Sequence, residues 1–218
     1  MLKHIVGRTY KPMLEKWLSK TRSYRQADIT LQIPPQVFHP GFFSSTQLLW
    51  NYIDTFSLEN KKLLELGAGS GLISMKAYKK GAVVTATDIN KTAIEFLALN
   101  SEANDCELQI TQSDLFDNIP LQTFDIIAIN PPYYKKDPAT AIEFAWYCGQ
   151  QGEYFEKLFS QLGNYMHAQT EVLMVCCDGC DLPMIEKMSA TRNFLFSCLL
   201  SKPGLLETNF IFKIEKNK

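Results

Sequence analysis

From about residue 61 onward, apolar runs of strand length alternate with segments of helical period, and this alternation limits what the chain can fold into. Such an order is the mark of an α/β fold with a mostly parallel sheet and crossover helices. Lys61–Leu66, Ala82–Thr87, Glu107–Gln112, Phe124–Ile129 and Glu171–Cys176 read as strands. The six-residue run Phe-Asp-Ile-Ile-Ala-Ile at 124–129 has the character of a strand buried on both faces. Between the strands, Leu72–Lys80, Lys91–Asn104, Glu153–Met166 and Leu182–Thr191 carry helical spacing. In the third of these, Tyr154, Phe155, Leu158, Phe159 and Leu162 form one stripe, expected to face the core. The end reads as a hairpin, Phe194–Leu200 and Glu207–Ile214, joined by Ser-Lys-Pro-Gly-Leu. Seven strands in one layer are therefore expected.

The first sixty residues differ. Lys11–Lys20 is a helix candidate, Ile29–Ile33 alternates like a strand, and a further helix begins near Gln47 after the Pro34-Pro35 and His39-Pro40-Gly41 breaks. Residues 1–45 are read as a small extension over the substrate side, and 46–218 as the main domain. The length, 218 residues, suits one domain with an appendage. Residues 1–36 hold seven basic and two acidic side chains; the remainder holds 15 basic and 21 acidic, for a total charge of -1. The molecule as a whole is thus no polycation coating nucleic acid. Its basic start is a solvated face or a contact for an anionic partner such as RNA.

No apolar run reaches the length of a signal peptide or the ~20 residues of a membrane span, so cytoplasm is the expected location. Six cysteines without a secretory signal are expected to be reduced. Cys176, Cys177 and Cys180 contain one C-x-x-C, but no second pair and no histidine at ligand spacing accompany it. They are read as small apolar residues at a buried strand end, with no metal expected.

The chemistry concentrates at strand ends. Glu65-Leu66-Gly67-Ala68-Gly69-Ser70-Gly71 turns a strand into a helix where backbone must approach a ligand without Cβ atoms in the way. It is not the G-x-G-x-x-G/A dinucleotide fingerprint, because Leu72 fills the sixth position. That departure, with no accompanying hydride-transfer constellation, disfavours an NAD-dependent dehydrogenase. Asp88 follows the second strand, where a carboxylate accepts ribose hydroxyls, and Asp114 follows the third, where a second acid can meet an exocyclic amine. The fourth strand ends in Asn130-Pro131-Pro132-Tyr133. The prolines remove backbone donors and stiffen the turn, leaving the Asn130 side-chain oxygen and the Pro131 carbonyl as two fixed acceptors. Two such acceptors suit a planar NH2 group, and Tyr133 offers a flat face for stacking. No cysteine stands in this loop, which disfavours C5 methylation of cytosine.

Taken together, Glu65–Gly71, Asp88, Asp114-Leu115 and Asn130–Tyr133 resemble a class I S-adenosylmethionine-dependent methyltransferase of the N-P-P-Y group, over roughly residues 37–214. The resemblance is nearest to the release-factor glutamine methyltransferases (HemK type) in their short form. Three further stretches carry it: Val37-Phe38-His39-Pro40 with Thr46–Leu49, Ala141–Trp146 with Gly149 and Gly152, and Glu207–Phe210. Gly41-Phe42-Phe43-Ser44-Ser45 departs from that family, which has a shorter acidic turn there. The resemblance implies a doubly wound Rossmann-like sheet of order 3-2-1-4-5-7-6 with the last strand antiparallel. It implies S-adenosyl-L-methionine held by Thr46, Glu65, Gly67, Ala68, Gly69, Gly71, Asp88, Ile89, Asp114, Leu115 and Asn130, with Asn130, Pro131, Pro132 and Tyr133 at the acceptor. The acceptor implied first is a glutamine amide in a release factor or another translation protein. Open alternatives are an adenine N6 or guanine N2 amine in ribosomal or transfer RNA, and a non-catalytic methyltransferase-like subunit. A small partner subunit is compatible with the resemblance; a membrane partner is not expected.

Overall fold

A computed structural model describes residues 19–35, 37–41, 44–140, 142–204 and 207–217. Strands β1 (Arg22–Gln26) and β2 (Ile29–Ile33) come first, then α1 (Ser44–Ile53), β3 (Lys62–Leu66), α2 (Leu72–Lys79), β4 (Val83–Asp88), α3 (Lys91–Ala103) and β5 (Gln109–Gln112). The second half runs β6 (Phe124–Ile129), α4 (Glu153–Leu162), β7 (Met166–Cys177), α5 (Leu182–Thr191), β8 (Phe194–Pro203) and β9 (Thr208–Lys216). Seven strands form one sheet in the order β5-β4-β3-β6-β7-β9-β8. Counted within the sheet, this is 3-2-1-4-5-7-6. Strands β3 to β7 pair in parallel, and β9 runs antiparallel to both neighbours.

Both faces of the sheet are covered, which is why β3 and β6 carry almost uninterrupted apolar runs. On one face Leu64, Leu66, Ile127 and Met174 pack against Phe155, Leu158, Phe159 and Leu162 of α4 and Ile185 of α5. Leu63, Ile126, Leu173 and Val175 face the other way, onto Leu49 and Ile53 of α1 and Ile73 and Ala77 of α2. Fully burying a side chain of this kind stabilises by roughly 1.5–3 kcal/mol. The stripe on α4 is therefore what fixes that helix to the sheet, and Tyr154 is its exception: it is only half-buried and lines a cavity.

The sheet follows the expected pattern, and its boundaries show where local propensity was overridden. Helix α4 stops at Leu162 rather than Met166; a 3-10 turn, Gly163–Tyr165, leads into β7, which starts at Met166 and is longer than the apolar run 171–176. Gly163 breaks the helical preference, and Thr170 Oγ1, bonded to the Phe124 carbonyl at 2.7 Å, helps hold the irregular start of β7 beside β6. Strand β1 was not legible in sequence. Only Tyr24 is apolar in Arg-Ser-Tyr-Arg-Gln, and its turn uses Ala27 at φ 54 without the glycine or asparagine that announces a hairpin. The helix candidate Lys11–Lys20 lies outside the described residues except for Ser19 and Lys20, which form a turn and a bend. Phe42, Phe43, Ala141 and Leu205 also lie outside them.

The β1–β2 hairpin buries Ile29, Leu31 and Ile33 against Leu72 and Met75 of α2 and Leu97 of α3. Asn104 Oδ1 accepts from the Thr30 N–H at 2.9 Å, and Asn100 Oδ1 from the Gln32 N–H at 2.7 Å. These bonds satisfy the outer backbone groups of β2, which would otherwise be an exposed sheet edge. Among the described residues no helix is long and apolar enough to cross a membrane.

Candidate active site

Strand register brings the chemistry together. Leu66 on β3 pairs with Thr87 on β4 and Ile129 on β6, and Asp88 pairs with Gln112 on β5. The residues that follow these strands, Gly67, Ile89, Ser113 and Asn130, consequently emerge at one level. Open parallel sheets place their ligand crevice there, outside the carboxyl ends of the strands. A cavity of about 390 Å³ occupies that position.

Thr46, Glu65, Gly67, Ala68, Gly69, Asp88, Ile89, Asp114, Leu115, Asn130, Pro131, Pro132 and Tyr133 all line this cavity. Gly71 does not. It has φ 86 at the start of α2, and a Cβ there would lie 2.2 Å from Leu97 Cδ1. Gly71 is required for the turn and for close packing on α3, not for space at the cavity. Gly67, with φ 72, has nothing within 4 Å of where a Cβ would stand, so its backbone faces open space.

The acids fall into two electrostatic classes. Glu65 is buried, and its Oε2 accepts from the Ser74 N–H at 2.9 Å and from the Ser74 hydroxyl. Burial pushes its carboxyl up to about 8, against the lowering effect of the Ser74 hydrogen bonds. Asp88 accepts from the Gly69 N–H and the Asn90 N–H, each at 2.9 Å, and burial likewise raises it. Asp114 is half exposed and is held at the rim by Lys157 Nζ at 2.5 Å; the same ammonium reaches Asp117 at 2.7 Å. Next to it Leu115 is in the left-handed region at φ 53 while its side chain is buried, a conformation that costs a branched residue on the order of 1 kcal/mol.

At the end of β6, the Asn130 Nδ2 group lies 3.4 Å from both Ser45 Oγ and Thr46 Oγ1 of α1. The Tyr133 hydroxyl donates to Asn130 Oδ1. Tyr133 is buried, so its hydroxyl positions the asparagine as well as its ring lining the cavity. The N–H groups of Tyr133 and Tyr134 both donate to the Trp146 carbonyl, at 3.0 and 2.8 Å, and the Cys148 N–H donates to the Tyr134 carbonyl at 2.9 Å. Residues 142–148 thus brace the loop from behind, and Phe144 and Tyr147 reach the cavity.

Sequence reasoning missed Asn90, Tyr154, Lys157 and Ser45. Asn90 carried a readable signal, since it caps α3 by accepting from the Thr92 N–H at 2.9 Å two residues after Asp88. Tyr154 and Lys157 are three residues apart on the first turns of α4, at the edge of its apolar stripe. Cys176 and Cys177 are buried at the end of β7, the Cys177 N–H donates to Cys180 Sγ at 3.3 Å, and the Cys177 and Cys180 sulfurs are 3.9 Å apart. No group of three or more metal-ligating side chains occurs among the described residues.

Comparison with known proteins places the chain in a family. The family described as Methyltransferase small domain matches residues 28–148. A Methanocaldococcus jannaschii protein provisionally named a protein N5-glutamine methyltransferase is 35% identical over 144 residues, covering 63% of this chain and 71% of the relative. A release factor glutamine methyltransferase of Lactococcus lactis is 41% identical over 81 residues, covering 36% of this chain but only 30% of the relative. Among solved structures, the E. cuniculi Mtq2-Trm112 complex, responsible for methylation of the eRF1 translation termination factor, gives a TM-score of 0.64 at 21% identity, covering 84% of this chain and 99% of that one. A T. thermophilus 16S rRNA methyltransferase bound to AdoMet and guanosine gives 0.65 at 20% identity, covering 91% of this chain and 50% of that one. At these identities the structural likeness concerns the fold. The chain belongs to the methyltransferase small domain family and is an S-adenosylmethionine-dependent methyltransferase.

Proposed function

We propose that this enzyme methylates the side-chain amide nitrogen of a glutamine in a peptide chain release factor, in the cytoplasm. The observation that carries the reading is the Asn130 carboxamide, held at the cavity by Tyr133 on one end and α1 on the other, beside a proline pair without backbone donors. The names of the M. jannaschii and L. lactis relatives support the glutamine acceptor.

S-adenosylmethionine, when bound, supplies a methyl group already activated by the sulfonium charge. The residues present fit it: open backbone at Gly67, a carboxylate at the end of β4, and a buried acid at Glu65. Asp88 would hold the ribose, Asp114 and Leu115 the adenine, with Ile89 beside them. Glu65, Gly67, Ala68 and Gly69 would hold the methionine portion, with Thr46 alongside. Asn130 Oδ1 and the Pro131 carbonyl would each accept one hydrogen of the acceptor NH2, which fixes the plane of the amide and directs the nitrogen toward the methyl carbon. Pro132 keeps the turn stiff. The enzyme's contribution is alignment and charge placement rather than a strong base. Residues 1–45 would shape the acceptor side, and a small partner subunit would extend it.

A second reading, methylation of an exocyclic amine in RNA, draws on the basic run in residues 1–36. Labelled S-adenosylmethionine separates the two. Incorporation into a purified release factor without RNA, lost when its acceptor glutamine is replaced, is the expected result. Label entering only ribonuclease-sensitive material would overturn it in favour of the RNA reading.

A further inference from the structure

Asp114 stands in an unpromising place for a recognition group. It follows β5, a four-residue strand at the edge of the sheet, and its side chain is 48% exposed. A carboxylate so open to water samples several rotamers, and fixing one of them on ligand binding costs free energy. Support comes from α4, 43 positions along the chain. Lys157 Nζ donates to Asp114 Oδ2 at 2.5 Å and to Asp117 Oδ2 at 2.7 Å, while Gln161 Nε2, one turn further on, donates to Asp117 Oδ1 at 2.7 Å. The base of this clamp is rigid, because Phe155, Leu158, Phe159 and Leu162 of the same helix are buried in the core. Both ends of the ion pair, Asp114 and Lys157, line the cavity.

We infer that Lys157 is a positioning residue that sets the base specificity of the cofactor site: it holds one oxygen of Asp114 and leaves the other to accept from the exocyclic amine of the adenine. The inference rests on the reading above in which Asp114 meets that amine. Discrimination follows from the chemistry of the carboxylate, which can only accept. A purine with a carbonyl in place of the amine offers no proton at that position and sets oxygen against oxygen. Lys157 also touches two carboxylates three positions apart on one turn, so its charge offsets their mutual repulsion while both stay ionised. An ion pair this open to solvent adds little to the stability of the fold, so its value lies in orientation. Position 157 is outside residues 28–148, so the family match does not account for it.

Isothermal titration of the full chain with S-adenosylhomocysteine and with S-inosylhomocysteine, which carries the carbonyl, tests this without turnover and without any methyl acceptor. The readout is the ratio of the two affinities. A purely structural loss weakens both ligands alike and leaves that ratio in place. Lys157→Met keeps the stem and removes the charge; it is expected to lower the preference for adenine about five-fold, the cost of ordering one freed side chain. Lys157→Arg is expected to return the preference to within about two-fold of wild type, since a guanidinium keeps the charge and the donors. Asp114→Ala is expected to lower the preference about ten-fold or more, and Lys157→Met added to it is expected to change the ratio no further, because the lysine acts through the carboxylate. If Asp114→Ala loses the preference and Lys157→Met keeps it, the inference is overturned and the reading of Asp114 stands. A preference that rises in Lys157→Met overturns the inference as well, making the lysine a direct contact of the purine. An unchanged ratio in Asp114→Ala overturns the reading of Asp114 and the inference with it.

Discussion

Two loops leave adjacent, in-register strands, Gly67–Gly71 after β3 and Asn130–Tyr133 after β6, and they solve opposite problems. The first strips away side chains. It places Gly67 and Gly69 at φ 72 and 54 so that backbone can approach a ligand, and one of its N–H groups, at Gly69, orients the Asp88 carboxylate. In the second, two prolines carry no N–H and the side chains of Asn130 and Tyr133 supply the polar groups. Under the proposed reaction, a cofactor common to many enzymes is met by backbone conformation, whereas the acceptor nitrogen is met by a side chain held at both ends of its amide. The first loop is held by Asp88 of β4 and Asn100 of α3, while the second depends on α1 and on the Trp146 carbonyl.

Replacing Asn130 by alanine should break the second loop's function most severely. We expect kcat to fall by about 10²–10³-fold, the usual cost of losing one aimed polar group, with cofactor affinity unchanged by calorimetry. A variant retaining near-normal turnover would remove Asn130 from the reaction.

Glu65 offers a test on the other side. Its folded-state carboxyl sits near 8, above its ordinary 4.5, because burial favours the neutral form. Folding therefore takes up a proton between those values. The favourable contribution is whole below pH 4.5 and is lost progressively as pH rises to about 8, the loss by pH 7 being on the order of 3 kcal/mol. Denaturation without cofactor should show wild type losing stability between pH 5 and 8 more steeply than Glu65→Gln. Equal slopes would mean that Glu65 is ionised in the free enzyme.

The mildest disturbance is Gly71→Ala. A Cβ 2.2 Å from Leu97 Cδ1, on a residue at φ 86, should destabilise the fold by about 2 kcal/mol. Denaturant unfolding measures this, and near-normal cofactor affinity in the folded fraction would separate Gly71 from the cavity-lining Gly67 and Gly69.

The same contrast explains what could be read in advance. The glycine loop and the Asp88 and Asp114 positions were legible because each depends on local chemistry at a strand end, whereas the strand order was legible through the family resemblance. Tyr154 was taken for core because periodicity identifies the face of α4 but cannot show that its first turn projects past the sheet's edge into the cavity. The contact of Ser45 with Asn130 was invisible because the two lie 85 positions apart. Gly71 was grouped with its neighbours because conformational need and ligand clearance leave the same letter in a sequence.

Asn100 has a wider consequence. Its side chain accepts from the Gln32 N–H at 2.7 Å and donates to the Gln32 and Ser70 carbonyls, each at 3.1 Å, so one buried amide clamps the β1–β2 hairpin and the glycine loop together. A change in loop shape on ligand binding that moved this amide would also reach the hairpin, and by thermodynamic reciprocity whatever then gripped the hairpin would alter ligand affinity by the same factor. The β1–β2 hairpin and the glycine loop are thus two arms joined at a single side chain of α3.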